Sequence, residues 1–319
     1  MTLPWLDPIK SHISEVLSSE RLGHAPLIQG PVGVGKRALS EWLVRRILCL
    51  EGVDGQPCGR CRACELLSKG THPDFFDVGI PEEKREIPVD SIRDLTGRLQ
   101  LTASISERRV GRVMPADAMN TNAANALLKT LEEPAANAWV MLVSDQPGRL
   151  PATIRSRCQV ITVRPPDRLE ALEWMSQNAS EGDQALQHQA LTLAGNAPLA
   201  ALELLEGEGM QSGFAIREGL GGLAQGQAIS QVLDETWTQT PTQTWRWLAT
   251  WMDMVLRSSL EAGADQELAG SLPRGVSSVD AARLWESALQ GTALSRGNAR
   301  QDLLLGKWLL EWQQVCQNG

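Results

Sequence analysis

The sequence predicts an α/β domain with a parallel sheet of five strands, followed by regions that are entirely helical. Short apolar runs alternate with helix-length amphipathic segments as far as residue 163, which is the pattern of parallel strands joined by crossover helices. A glycine-rich loop, residues 30–36, lies between the first such strand and the next helix. After residue 209, tryptophan and leucine recur at helical spacing, and no strand pattern is found there.

The first elements of the chain are a helix, a buried strand and a second helix. Residues 8–18 predict a helix because apolar side chains recur on one face. Residues 25–29 form a short apolar strand that leads into the glycines, and residues 36–48 predict the helix after them. The side chains expected to face inward are Ile9, Ile13, Val16, Leu17, Leu39, Trp42, Leu43 and Ile47.

The next elements continue the alternation. Residues 75–78 predict the second strand, and residues 89–101 predict a helix with leucine and isoleucine at helical spacing. Residues 109–114 predict the third strand.

Residues 122–133 predict a helix that Pro134 ends, because proline lacks the N–H that would continue it. The run 139–144 is apolar almost throughout, as expected of a central parallel strand covered on both faces. Residues 159–163 predict the fifth strand.

Size and composition indicate a folded protein with room for two or three domains. The chain has 319 residues, of which 42% are apolar and 21% charged. No apolar run approaches the roughly 20 residues that span a bilayer, and residues 1–5 lack a signal-peptide pattern. We therefore expect a cytoplasmic protein with no membrane contact. A net charge of −8 argues against strong nucleic-acid binding by the chain alone.

The glycine-rich loop matches most of a phosphate-binding pattern. Residues 30–37 read Gly-Pro-Val-Gly-Val-Gly-Lys-Arg and fill every fixed position of G-x-x-x-x-G-K-[ST] except the last. Gly30, Gly33 and Gly35 allow the backbone N–H groups to point at an anion, and Lys36 adds positive charge over the phosphates. The alternative interpretation is a glycine-rich helix cap with a chance lysine.

Arg37 stands where the pattern requires a hydroxyl that would hold Mg²⁺. A guanidinium carries only donors and a positive charge, so it cannot ligate the metal. We therefore predict a nucleotide-type fold that does not hold Mg²⁺, and in which only weak binding of ATP or ADP stays open.

The end of the third strand shows a second loss. In phosphate-loop enzymes an acidic residue at such a strand end holds the metal through water, and in many of them a glutamate follows that orients the attacking water. Asp117 is present here, but the next residue is Ala118. A methyl group neither polarises water nor accepts a proton. The pair predicts a pocket without hydrolytic activity.

Four cysteines lie within sixteen residues, at a spacing of C-x8-C-x2-C-x2-C. They are Cys49, Cys58, Cys61 and Cys64. Such a set suits a tetrahedral Zn²⁺ ion with a structural role, because four thiolates leave no open position for water. The alternative is a pair of disulfides or four reduced bystanders, which the missing secretory signal disfavours.

Several of these features together resemble the bacterial clamp loader of DNA polymerase III, a complex of the AAA+ family. They are the helix sequence Leu-Leu-Lys-Thr-Leu-Glu-Glu-Pro at 127–134, the triplet Ser156-Arg157-Cys158, the glycine loop and the four-cysteine insert. The resemblance covers about the first 205 residues. It implies an AAA+ domain with a RecA-like sheet over 1–165, a zinc module over about 49–64, a helical lid over 166–208 and a helical collar over 209–319.

The resemblance also implies a function and partners. Clamp loaders are five-subunit rings that load the sliding clamp onto primed DNA during replication, and their parts include gamma or tau motor subunits and a delta subunit. The losses at Arg37 and Ala118, with Leu199 where the lid usually carries an arginine, are typical of a ring subunit without ATPase activity of its own. The motif implies that Arg157 acts in trans on a neighbour's ATP.

Other hypotheses stay open at this stage. Arg155 and Arg157 could be surface arginines at a strand entrance. The chain could be an active clamp-loader ATPase that tolerates Arg37, or a zinc-dependent DNA-binding module in which Arg60 and Arg62 contact phosphate.

The region after residue 209 has more acidic than basic residues, which favours protein–protein contact over DNA binding. Its tryptophan stripes are predicted to be core. Their members are Trp245, Leu248, Trp251, Met252, Val255 and Leu256, then Leu305, Trp308, Leu309, Trp312 and Cys316.

Overall fold

The structure is a computed structural model that describes residues 2–52, 54–179, 184–233, 235–260, 266–273, 275–295, 297 and 299–318. It divides into two compact units. The first contains Met1–Ser180 and Ala194–Ala201, and the second contains Glu181–Leu193 and Leu202–Gly319. The three-domain division expected from the sequence stays a prediction.

The first unit is built on one parallel sheet. Its strands are β1 (Pro26–Gln29), β2 (Phe75–Val78), β3 (Arg109–Val113), β4 (Ala138–Ser144) and β5 (Gln159–Thr162). They pair in the order β2-β3-β4-β1-β5, and each adjacent pair is parallel. All five predicted strands are confirmed, each to within one residue at either end.

Helices make up most of the rest of the described chain. Those before residue 180 are α1 (Asp7–Ser18), α2 (Lys36–Leu48), α3 (Arg62–Ser68), α4 (Val89–Leu99), α5 (Thr121–Glu132), α6 (Ala152–Arg155) and α7 (Arg168–Asn178). Those after it are α8 (Gln184–Leu193), α9 (Pro198–Glu206), α10 (Gly209–Ala224), α11 (Ile229–Val232), α12 (Glu235–Gln239), α13 (Pro241–Leu260), α14 (Gln266–Ala269), α15 (Ser278–Leu294) and α16 (Gln301–Asn318). None of the helices in the described part of the chain is long and apolar enough to cross a bilayer.

The four helices predicted before residue 140 are confirmed, with small shifts at their ends. The fourth begins at Thr121 rather than 122, because the Asn120 side chain accepts a hydrogen bond from the Ala123 N–H at 2.9 Å and caps the helix. Three inward predictions are wrong in part, because Ile9, Val16 and Trp42 are only half-buried. The Trp42 indole N–H donates to Gln56 in the cysteine-containing segment at 2.8 Å.

The strand register places the carboxyl ends of β1, β4 and β5 next to one another. Gln29, the last residue of β1, pairs with Ser144 at the end of β4 and with Thr162 at the end of β5. Because the strands are parallel, the chain segments that follow β1, β4 and β5 emerge at the same edge of the sheet. The glycine loop therefore lies beside Asp145 and Val163.

A second apolar core fills the C-terminal unit. The indoles of Trp251, Trp308 and Trp312 are almost completely buried, and each donates its N–H to a backbone carbonyl. The acceptors are the carbonyl oxygens of Gly213, Leu284 and Leu220, at 2.9, 3.1 and 2.9 Å. Large apolar rings with a satisfied polar atom are typical of a core, so the prediction that the tryptophan stripes are core is confirmed.

Close helix packing in this unit depends on glycine. A Cβ atom at Gly291 in α15 would lie 2.3 to 2.7 Å from atoms of the Trp245 ring, whereas one at Gly306 in α16 would meet nothing within 4 Å. We predict that Gly291→Ala lowers the free energy of unfolding by about 1–3 kcal/mol through overpacking. Gly306→Ala, the matched control, should raise it by up to about 1 kcal/mol, because alanine favours the helix. Urea denaturation checks both, and equal effects of the two substitutions would contradict the packing account.

Candidate functional site

The glycine loop has the backbone geometry that its sequence predicts. It leaves β1 and ends at Lys36, the first residue of α2. Gly33 and Gly35 have φ angles of 81° and 95°, a region that side chains disfavour. A Cβ atom at Gly30 would lie 2.1 Å from the carbonyl oxygen of Val163, so the loop also approaches the end of β5 closely. The strand, loop and helix that the motif requires are present.

The lysine of the loop already has an anionic partner. Lys36 is only 4% exposed, and its Nζ lies 2.6 Å from the carboxylate of Asp145. The same ammonium donates to the Pro31 carbonyl within the loop. A phosphate group attracted to Lys36 would therefore have to compete with a carboxylate of the same chain.

Two other segments of the first unit pack against the loop. The Leu199 N–H, in the first turn of α9, donates to the Gly33 carbonyl at 3.1 Å. A Cβ at Gly33 would lie 2.4 Å from both the nitrogen and the Cβ of Ala200. On the N-terminal side, the Trp5 indole N–H donates to the Val34 carbonyl at 2.9 Å. The backbone of the loop is thus held in place by contacts within the protein.

Asp117 is tied to the end of β4. Its Oδ1 accepts hydrogen bonds from the Ser144 hydroxyl at 2.7 Å and the Asp145 N–H at 3.0 Å. It thereby orients the residue that pairs with Lys36. Ala118 is buried in the short 3-10 turn Ala116–Ala118, and Arg37 is exposed on α2.

Sequence reasoning missed Asp145. The residue directly follows the apolar run 139–144, which indicates that it lies at the carboxyl edge of the sheet. Its pairing with Lys36 depends on β4 lying next to β1, and the sequence does not state the strand order.

Arg157 lies apart from the glycine loop in sequence, in the turn between α6 and β5. Its Nε and Nη2 atoms lie 2.7 and 2.5 Å from one carboxylate oxygen of Glu132, the last residue of α5. Its Nη1 donates to the Thr153 carbonyl at 2.9 Å. The Arg157 side chain keeps 35% of its surface exposed. The guanidinium is therefore ordered at the surface of the first unit.

The four cysteines form one cluster. Their sulfur atoms all lie within 4.8 Å of one another, with 3.6 Å between Cys49 and Cys58 and 3.9 Å between Cys49 and Cys61. Four sulfurs about 2.3 Å from a tetrahedral ion would stand about 3.8 Å apart, so the donor set fits such a metal. All four cysteines are free thiols, which argues against the disulfide alternative. The cluster could hold a metal ion.

The thiols of the cluster differ in acidity. Burial opposes ionisation of Cys61, but backbone hydrogen bonds involving Cys64 and Leu50 outweigh it and lower the pKa of Cys61 to about 6. Burial raises the pKa of Cys64 to about 12. A bound metal would displace the protons that remain, since thiolates are the ligands.

A buried polar network supports the cluster. The Asp74 carboxylate is fully buried and accepts the backbone N–H groups of residues 104, 105 and 106 at 2.7 to 3.0 Å. This fixes the segment so that Ile105 packs on the cysteines and the Ser106 hydroxyl donates to the Leu48 carbonyl, next to Cys49. Burial would raise the pKa of Asp74, but the three N–H groups outweigh it and lower that pKa. No sequence motif marks this network.

Comparisons with known proteins fit this geometry. A family model described as "DNA polymerase III, delta subunit" matches residues 6–167. The DNA polymerase III subunit delta′ of Pseudomonas aeruginosa is 34% identical, with 98% of this chain and 97% of that protein covered. The chain belongs to the DNA polymerase III delta′ family. The delta′ subunit of Escherichia coli K12 is likewise 34% identical, over 95% of this chain and 94% of the relative.

Membership in this family confirms the resemblance found in the sequence. It also identifies delta′ as the kind of clamp-loader subunit that the chain is related to. The tau subunit of E. coli K12 is a more distant relative, 29% identical over 68% of this chain and 34% of its own length. Among solved structures, a DNA polymerase III gamma subunit-related protein of Thermotoga maritima has the same fold, with a TM-score of 0.50, 14% identity and coverage of 96% of this chain and 99% of that one. The predicted fold class, an AAA+ type parallel sheet with helical regions, is confirmed.

Proposed function

We propose that this delta′ family member is a clamp-loader subunit that does not hydrolyse ATP itself and that provides Arg157 to the ATP of a neighbouring subunit. The observation that carries the proposal is the contrast between two cations. Lys36 is buried and neutralised by Asp145, whereas Arg157 is ordered at the surface. The proposed partners are gamma or tau motor subunits and a delta subunit, and through the complex the sliding clamp and primed DNA in the cytoplasm.

The nucleotide pocket supports the first half of the proposal. Arg37 provides no metal ligand and Ala118 provides no base, so two steps of hydrolysis lack their groups. A phosphate at Lys36 would also have to compete with Asp145 for the ammonium. The elements of an anion site are retained in Gly30, Gly33, Gly35 and Lys36, so weak binding of ATP or ADP is compatible with the proposal. ATPase activity of the gamma or tau kind is not compatible with it.

The chemistry of Arg157 supports the second half. A planar guanidinium next to a transferring phosphoryl group neutralises the charge that develops on its oxygens. Arginines provided in this way accelerate GTPases by about 10³- to 10⁵-fold. Arg157 follows Ser156 in the triplet that the clamp-loader resemblance rests on, and its guanidinium is accessible to another subunit.

We also propose that the chain has three functional parts. These are an AAA+ domain over 1–165, a lid over 166–208 and a collar over 209–319.

We further propose that the cysteine cluster holds a structural Zn²⁺. The ligands would be Cys49, Cys58, Cys61 and Cys64, and a bound ion would link the end of α2 to the start of α3. Its contribution would be stability of this insert, because four thiolates exclude water from the metal.

The proposal predicts the effect of removing Arg157. In a reconstituted clamp loader, Arg157→Ala should lower the ATPase rate stimulated by DNA and clamp by about tenfold or more, because charge on the neighbour's phosphoryl group loses its counterion. The matched control is Arg155→Ala, which should leave the rate unchanged, because Arg155 is a nearby exposed arginine at the end of α6. Assembly is followed by size-exclusion chromatography. An unchanged rate in a fully assembled Arg157→Ala complex would refute the role in trans.

A second prediction concerns the metal. The purified chain should contain about one zinc ion per molecule, and Cys61→Ser should lose it because three thiolates bind zinc far more weakly than four. Cys316→Ser, a half-buried thiol in the C-terminal unit, should keep it. Elemental analysis measures the zinc content of the wild type and of each variant. A thermal unfolding curve gives the midpoint of unfolding of each protein. Full zinc content in Cys61→Ser would contradict the site.

A further inference from the structure

The Arg157 guanidinium is held along one of its sides. Nε and Nη2 both lie against a single oxygen of Glu132, at 2.7 and 2.5 Å. Nη1 donates to the Thr153 carbonyl at 2.9 Å and makes a longer contact of 3.4 Å with the Ser156 hydroxyl. Since a guanidinium has five N–H donors, the contacts with Glu132 leave a donor on Nη2. The end of the group formed by Nη1 and Nη2 is therefore the part that another molecule could engage.

We propose that Glu132 is a positioning residue for Arg157, which holds the guanidinium by its Nε side so that the opposite end meets the phosphate of a neighbouring subunit. This inference rests on the proposed trans role of Arg157. The pair connects the end of α5 to the turn before β5 and thus joins two segments that are 25 residues apart.

Two features of Glu132 favour this role over a purely local one. It is the last residue of α5, where the helix dipole disfavours a negative charge, so its position does not help the helix. Half of its side-chain surface is exposed, so it forms no part of the core. What it does contact is the guanidinium of Arg157. Fixing that long side chain in advance reduces the rotamer entropy lost when it binds phosphate.

The pair is suited to positioning rather than to locking Arg157 away. An ion pair between two partly exposed side chains is weak, because solvent screens it. A phosphate at the free end would therefore not have to break a strong bond. The opposite role, a latch that keeps Arg157 from its target, predicts the opposite sign when Glu132 is removed.

The test uses the reconstituted clamp loader with Glu132→Ala, Glu132→Gln, Arg157→Ala and the double variant Glu132→Ala/Arg157→Ala. Glu133→Ala is the matched control, since Glu133 is the exposed neighbour that caps the helix. We expect Glu132→Ala to lower kcat of the stimulated ATPase about two- to fivefold, as a weak surface pair allows, with KM for ATP unchanged. Glu132→Gln should lose less, and Glu133→Ala nothing.

The double variant separates positioning from a general structural effect. If Glu132 acts through Arg157, the double variant should match Arg157→Ala alone, because interacting residues are not additive. A lower rate in Arg157→Ala together with an unchanged or higher rate in Glu132→Ala, or with additive effects in the double variant, would overturn this inference and leave the proposed function standing. No effect of Arg157→Ala would overturn both.

Discussion

The lysine of the glycine loop forms an ion pair with Asp145, and the proposed role of the loop depends on that pair. The loop has the backbone and the lysine of an anion site, but the ammonium is buried and lies 2.6 Å from a carboxylate of its own chain. Asp117 holds Asp145 from the other side through the backbone N–H of that residue. A charge that is matched within the protein attracts an external phosphate less strongly, since the phosphate must replace an existing partner. Here the site's chemistry follows from its neighbours as much as from its motif.

That pair is a consequence of the sheet. In the order β2-β3-β4-β1-β5 the ends of β1 and β4 are adjacent, and Gln29 pairs with Ser144. Parallel strands bring their following segments to one edge, and this places the loop and Asp145 side by side. The turn before β5 places Arg157 at the surface instead, where Glu132, the Thr153 carbonyl and the Ser156 hydroxyl contact it. One sheet thus holds one cation that is buried and paired and another that is partly exposed.

Much of the α/β region could be predicted from the sequence because its signals are local. Strand 139–144 is apolar apart from Ser144, and Gly30, Gly35 and Lys36 occur at fixed spacing. The cysteine cluster was equally visible, since its members are close in sequence. The pairing of Asp145 with Lys36 and that of Glu132 with Arg157 were not recognised, because each pair joins segments that are distant in sequence. The hydrogen bonds of Asp74 were not predicted either. Its carboxylate accepts from backbone N–H groups of a distant segment, and backbone groups leave no signal in the sequence.

The central claim is that the chain's own phosphate site is closed by an internal counterion. Titration calorimetry of Mg·ATP into the isolated wild-type chain, with Asp145→Asn for comparison, tests it most directly. The account predicts binding weaker than about 0.1 mM for the wild type and tighter binding once the carboxylate is neutralised, without turnover in either protein. Micromolar affinity in the wild type, unaffected by Asp145→Asn and accompanied by steady hydrolysis, would contradict it.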